Sequence, residues 1–252
     1  MEFGIEILVL LFFVALIAGW VDAVAGGGGL ITIPILLLLG ISPAAAIATN
    51  KLQGSFGTCT AALFFLRQRT VSLTDNRLPL LTVCAGSVLG GWVLTQVDAS
   101  YLSFLVPILL ILTGLYFLFF ADNLDDSREP RLSPGRFNAT VAPALGFYDG
   151  FFGPGTGSFM ATAFVMLRGF PIRQATANAK LLNFASNLAV LIYFVFFGQI
   201  VWLAGAAMIG GQIIGSYLGA RIALNAGARL IRPVTIIVCF AMSCRALLSL
   251  LN

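Results

Sequence analysis

Apolar runs recur along this chain at the length of a bilayer crossing, with almost no charge inside them. A helix needs about 20 residues to cross roughly 30 Å of hydrocarbon. The runs occupy 4–25, 28–40, 43–66, 78–96 and 100–120, then 138–153, 156–167, 172–197, 200–224 and 233–251. Only 10% of the 252 residues are charged, against about 25% in an ordinary soluble domain. So few charges cannot cover a surface that faces water on all sides. The runs lack the strand-like alternation of a β-barrel, and open sheets cannot face lipid. The expected fold class is therefore an all-α polytopic membrane protein. Met1 to Phe13 has no basic stretch and carries Glu2 and Glu6, so the first run reads as a permanent span rather than a cleaved leader.

The chain also repeats itself. "GWVDAVAGGGG", from Gly19, and "GFYDGFFGPGTG", from Gly146, align Gly19, Asp22, Gly26 and Gly28 with Gly146, Asp149, Gly153 and Gly155 at an offset of 127. Further on the offset becomes 129, which matches Gly40 with Gly169, Lys51 with Lys180, Phe65 with Phe194, and "GSVLG" at Gly86 with "GSYLG" at Gly215. The landmarks keep their order. This reads as two homologous membrane repeats, 1–120 and 138–252, joined by a polar linker at 121–137. The runs 28–40 and 156–167 are too short for an ordinary span, reaching about 18–20 Å at 1.5 Å per residue. Each directly follows a glycine cluster, as half of a broken or re-entrant helix would.

Charge sets the expected orientation. Arg67, Arg69, Arg77, Arg128, Arg131, Arg136, Arg168, Arg173, Arg221, Arg229 and Arg232 fall on one side if every segment changes sides, while the loops around 41–42, 97–99 and 198–200 have no Lys or Arg. Positive residues concentrate in cytoplasmic loops, so the arginine face and the linker are expected in the cytoplasm. Five crossings per half then invert the second repeat relative to the first and leave both termini on the opposite side. If the short segments instead return to their starting side, the repeats are parallel and the arginine loops separate across the membrane. Inverted repeats with broken helices carry a substrate site near the midplane in many secondary transporters.

The polar residues left inside the apolar runs are the candidate site. A carboxylate at a helix centre costs about 2.5–3.5 kcal/mol on the insertion scale, and a glycine costs about 1 kcal/mol relative to alanine in a helix interior. Asp22 with Gly26 to Gly29 carries both costs, and so does Asp149 with the cluster Gly153 to Gly157. Broken backbone at that depth must line a cavity or lie inside protein. Two helix starts facing such a cavity, through Gly27 and Gly28 and through Gly155 and Gly157, would present N–H groups to an anion. Close helix packing is the plainer use of the same glycines. Lys51, in "ATNKLQGS", and Lys180, in "ANAKLLNFASN", have polar neighbours: Thr49, Asn50, Gln53 and Ser55 in one copy, Asn178, Asn183, Ser186 and Asn187 in the other. Residues three or four apart share a helix face, as Asn50 and Gln53 do, and Asn183 and Asn187. Such a face would line a cavity, with Lys51, Lys180, Asn50, Thr49, Asn178 and Asn183 as substrate ligands. Snorkelling of the lysines to the interface is the alternative. Asp22 and Asp149 read either as structural charge partners or as proton carriers, since burial raises a carboxylate pKa. Arg245 reads as an interface anchor, and the "GSVLG" and "GSYLG" patterns as helix packing.

Other chemistries find little support. There is no histidine and no CxxC; Cys59, Cys84, Cys239 and Cys244 all lie in apolar runs and read as small buried hydrophobes. A metal site, a cofactor or a Ser-His-Asp triad has no residues to stand on, and nucleic acid is not expected as a partner. No GxxxxGK[ST] is present, so ATP-driven transport by this chain is not expected. Paired aspartates could act as acid and base in an intramembrane enzyme, but no nucleophile accompanies them.

The motifs "GWVDAVAGGGGLITIPILLLLGI", "ATNKLQG", "GFYDGFFGPGTGSF" and "ATANAKLLNFASN" resemble those of the sulfite exporter TauE/SafE family of bacterial membrane permeases, over nearly the whole chain. The resemblance implies a multi-pass protein of the bacterial inner membrane that moves small, sulfur-containing anions such as sulfite, sulfoacetate or a related organic anion. Joined to the residues above, it gives an expected carrier: the repeats rock around a midplane anion site in the lipid bilayer, with a proton or ion gradient, the substrate gradient or a separate subunit as the energy source. An uncoupled anion channel is the alternative, and a homo-oligomer is compatible with either.

Overall fold

A computed structural model describes residues 3–120 and 129–226. The described residues contain helices and no strand. In chain order these are α1 (Ile5–Ala25), α2 (Gly29–Leu38), α3 (Pro43–Arg67), α4 (Arg77–Gln96), α5 (Ala99–Phe120), a one-turn α6 (Pro134–Arg136) leading through a π-helical turn (Phe137–Val141) into α7 (Ala142–Phe151), α8 (Thr156–Arg168), α9 (Ile172–Phe197) and α10 (Trp202–Ala226). The expected run 233–251 lies outside the described residues, as do Cys239, Cys244, Arg128, Arg229, Arg232 and Arg245.

Among the described residues, four helices are long and apolar enough to cross a membrane: α1, α4, α9, and α10 over Trp202–Ala223. Helix α3 has 25 residues but carries Thr49, Asn50, Lys51, Gln53 and Ser55 in its first half. The polar side chains of the apolar runs are inside, while large apolar side chains fill the core and also face outward. Lys51 and Lys180 rank among the largest fully buried side chains, whereas Ile5, Leu81, Phe196 and Phe197 are exposed. That distribution suits a hydrocarbon solvent, in which an exposed leucine costs nothing and an exposed charge costs much.

Helix boundaries follow local chemistry. α1 stops at Ala25 because Gly26 takes the left-handed conformation (φ 76°) and its N–H closes back on the Asp22 carbonyl at 2.7 Å. The short helices α2 and α8, about 15 and 20 Å long at 1.5 Å per residue, end alike. Gly40 (φ 79°) and Gly169 (φ 69°) turn left-handed, and the next N–H reaches back six positions or five, from Phe170 to Phe164 and from Ile41 to Leu36, at 3.2 Å in both. This is the glycine-terminated C-cap. Ser42-Pro43 and Pro171-Ile172 then open α3 and α9, with proline placed where its missing N–H is harmless.

The helices of the two halves interleave. α3 and α9 pack together at the centre; α10 lies on α3 and α4 lies on α9. The outer seams are α1 against α10 and α7 against α4. Both seams run parallel and are cut to backbone contact by glycine. A Cβ at Gly86 would stand 2.0 Å from the Pro143 carbonyl oxygen, and one at Gly90 2.1 Å from that of Phe147. On the other seam, a Cβ at Gly211 or Gly215 would stand 2.0 Å from the carbonyl oxygens of Phe12 and Leu16. The "GSVLG" and "GSYLG" stretches are thus packing surfaces, as expected of small residues in membrane helices.

Candidate functional site

The two glycine breaks meet at the centre. A Cβ at Gly26 would fall 2.3 Å from the Ser158 nitrogen and 2.7 Å from the Gly157 Cα, so the α1–α2 turn rests directly on the start of α8. Gly29 lies against Pro154, and the Ser158 hydroxyl donates to the Ala25 carbonyl. Neither break is open to lipid. Each supports the other, as non-helical backbone at membrane depth requires.

Around this crossing the buried charges pair crosswise between the halves. Lys51 Nζ on α3 lies 2.8 Å from Asp149 Oδ1 on α7 and donates to Asn187 Oδ1 on α9 at 2.9 Å. The second Asp149 oxygen accepts from the Ser186 hydroxyl. Lys180 Nζ on α9 lies 3.4 Å from Asp22 Oδ2 on α1 and donates to the Asp22 backbone carbonyl. Asp22 Oδ1 accepts from the Gly28 N–H at 3.3 Å, so the freed amide ahead of α2 is already spent on a carboxylate. Four formal charges sum to zero within the protein interior.

The amides extend the network. Asn50 Oδ1 accepts from Thr32 Oγ1 at 2.6 Å and from Gln53 Nε2 at 2.8 Å. Asn187 Nδ2 donates to Asn183 Oδ1 at 2.6 Å. Together Asp22, Gly28, Asn50, Lys51, Asp149 and Asn183 line a central cavity of about 20 Å³, room for about one water. Two oxygens here, Gln53 Oε1 and Gln212 Oε1, are buried without a hydrogen-bond partner among the described residues. Each has acceptor capacity to spend on a water or a ligand donor.

The expected ligands divide into groups. Lys51, Asn50, Asn183 and Gly28 reach the cavity together with Asp22 and Asp149. Lys180 joins through its bond to Asp22, and Gly157 sits behind it against Gly26. Gly27 and Gly155 shape the two turns without lining the cavity. Thr49 and Asn178 do not reach it either. Thr49 Oγ1 accepts the Val201 N–H at 3.0 Å on the side of the α9–α10 turn, while Asn178 borders a different, larger cavity. Gln212 on α10 and Thr58 on α3 border the centre and were not among the expected ligands. A glutamine inside the otherwise apolar "GGQIIG" was the available signal for the first. No group of three or more His, Cys, Asp or Glu suited to a metal occurs among the described residues.

An all-helical chain with several membrane-length apolar helices and a charged, closed interior belongs to the class of multi-pass membrane proteins, and the comparisons make it a transporter. The profile of the sulfite exporter TauE/SafE family matches residues 11–246, and the chain belongs to that family. It is 47% identical over 245 residues to a "Probable membrane transporter protein" of Haemophilus influenzae, covering 97% of this chain and 96% of that one. It is 45% identical to the "Probable membrane transporter protein YfcA" of Escherichia coli K12, covering 94% and 88%, and 27% identical to the "Probable membrane transporter protein YunE" of Bacillus subtilis, covering 94% and 96%. No solved structure matches the chain.

Proposed function

We propose that this transporter is a secondary carrier of a small anion, sulfur-containing as in sulfite or sulfoacetate, and that it works by alternating access around the crossed Lys–Asp pairs. It sits in the bacterial inner membrane with the arginine loops and the linker in the cytoplasm. Its halves act as inverted repeats, with α2 and α8 as the broken helices. The parallel packing of α3 on α10, where Leu52 meets Gly205 and Gly57 meets Gln212, and of α4 on α9, where Cys84 meets Ala185 and Gly91 meets Val190, supports that inversion. The observation that carries the reading is a pair of fully buried lysines, each held by a carboxylate from the other half, around a cavity too small for an anion.

The charge arithmetic gives the mechanism. With both pairs formed the centre is neutral and holds no free cation for a substrate. An anion that reaches Lys51 must replace Asp149, and the displaced carboxylate cannot remain charged and unpaired in a dry interior, where an isolated ion costs several kcal/mol. Taking a proton removes that cost. One proton therefore accompanies each displaced carboxylate, and movement of the halves passes anion and proton together. Because each pair joins the two halves, breaking it loosens the contact that must change.

Labelled sulfite flux in proteoliposomes tests this, with and without an imposed pH gradient. Saturable flux in wild type, lost in both Lys51→Ala and Lys180→Ala, is expected. Asp149→Asn should retain flux with a weakened response to the pH gradient, and Asp149→Asn with Asp22→Asn flux with none. Wild-type flux in both lysine variants would remove the lysines from the site.

A further inference from the structure

A second cavity, of about 690 Å³, opens at the arginine-bearing end of the helices. It is bounded by the α3–α4 connection, the π-helical turn and the junction of α8 with α9. Arg69, Asp75, Arg168, Gln174 and Asn178 are among its polar lining residues. Arg168 gives one N–H to the Leu132 carbonyl at 3.0 Å, and its guanidinium lies 5.6 Å over the Phe170 ring. With five N–H donors on the fork, most of its capacity remains after that anchoring bond. Arg69 is held at φ 53°, the one non-glycine residue with positive φ among the described residues. A left-handed arginine costs of order 1–2 kcal/mol, so the chain accepts strain at this rim position.

The surroundings add to the charge. Arg67, Arg77, Arg131, Arg136 and Arg173 occupy the same helix ends, against Asp75 and Glu129. A concave site under an excess of one sign, walled by low-dielectric protein, concentrates ions of the other sign. The cavity reaches Asn178 on α9 and shares no lining residue with the central cavity. At the opposite end the position matched by the 129-residue offset, Thr49, is fully buried and takes the Val201 N–H, and Leu52 packs on Gly205. The arginine end therefore holds a cavity beside Asn178, whereas the matching Thr49 is packed.

We propose that this cavity is a second, outer anion site, in which Arg69 and Arg168 collect a small sulfonate-type or other oxyanion from the arginine-bearing side, with Asn178 on its wall. The proposal rests on the anion-carrier reading above. Its test needs no transport, so the two can fail separately.

The experiment uses Asn178→Cys, and separately Gln174→Cys at the exposed mouth, with Cys59, Cys84, Cys239 and Cys244 replaced by serine. The purified protein is treated with methanethiosulfonate reagents of equal reach and opposite charge, one carrying a sulfonate and one a trimethylammonium group. Rates are followed by intact mass and divided by those of a free thiol. The expected result is a sulfonate-to-ammonium rate ratio at least about tenfold above that of the free thiol, as electrostatic focusing gives. Arg69→Gln with Arg168→Gln should reduce it by about the same factor. A ratio unchanged by the arginine substitutions at either cysteine would overturn the anion site. Reaction at position 174 with none at 178 would overturn the extension of the site to Asn178. If Asn178→Cys does not fold, the ratio at position 174 decides the anion site alone.

Discussion

The two buried ion pairs use the same residue types and differ in how firmly they are held. Lys51–Asp149 closes at 2.8 Å, with side chains 1% and 2% exposed. Asn187 takes a second lysine proton, and Ser186 donates to the other carboxylate oxygen. Lys180–Asp22 stands at 3.4 Å, and the Asp22 side chain is 11% exposed. The positions that the 129-residue offset matches to Ser186 and Asn187 hold Gly57 and Thr58. Gly57 is filled by Gln212 and Ser216 approaching its Cα, and the Thr58 hydroxyl donates to Gly54 and Ser55 of its own helix. One pair is a closed network and the other a loose contact completed by main chain. The asymmetry leaves Lys180–Asp22 as the longer and more exposed of the two contacts.

The largest expected effect comes from breaking the tight pair on one side. Asp149→Ala leaves Lys51 charged and buried, a change that typically costs about 3–5 kcal/mol, whereas Asp22→Ala leaves Lys180 its bond to a backbone carbonyl and should cost clearly less. Thermal unfolding in detergent reads the difference, and equal losses would erase the distinction between the pairs. Next, Asn187→Leu removes the second partner of Lys51 and should cost about 1.5–3 kcal/mol, the range for a hydrogen bond to a charged group, by the same measurement. Smallest is Thr58→Val, whose hydroxyl serves only its own helix backbone. It should shift stability by less than about 1 kcal/mol, and a loss as large as that of Asn187→Leu would mean that Thr58 supports Lys180 after all.

Much of the fold was legible because glycine and proline punctuate it. The run 172–197 coincides with α9, and 43–66 ends one residue short of α3. Those limits are fixed locally, by Ser42-Pro43, Gly169 and Pro171. The run expected to begin at 138 instead begins at Pro134, through a π-helical turn that no local signal marks. At the site, residue types were legible and partners were not. Which carboxylate meets Lys51 depends on how helices far apart in sequence pack, and the answer crosses between the halves. Thr49 and Asn178 were grouped with the lysines because they are near them in sequence. Two residues along a helix is more than half a turn, which carries both to the other side of the lysine face. Asn183 and Asn187, three and seven positions after Lys180, stay on it.

The seam between α1 and α10 bears on how the protein is made. α1 leaves the ribosome before its main partner α10, with α2 to α9 synthesised in between. Until then the flank of α1 that will meet Gly211 and Gly215 faces lipid or a chaperone. α4 waits a shorter time for α7, which follows it after α5 and the linker. A truncated product that ends before α10 leaves Asp22 with its lysine but α1 without its wall.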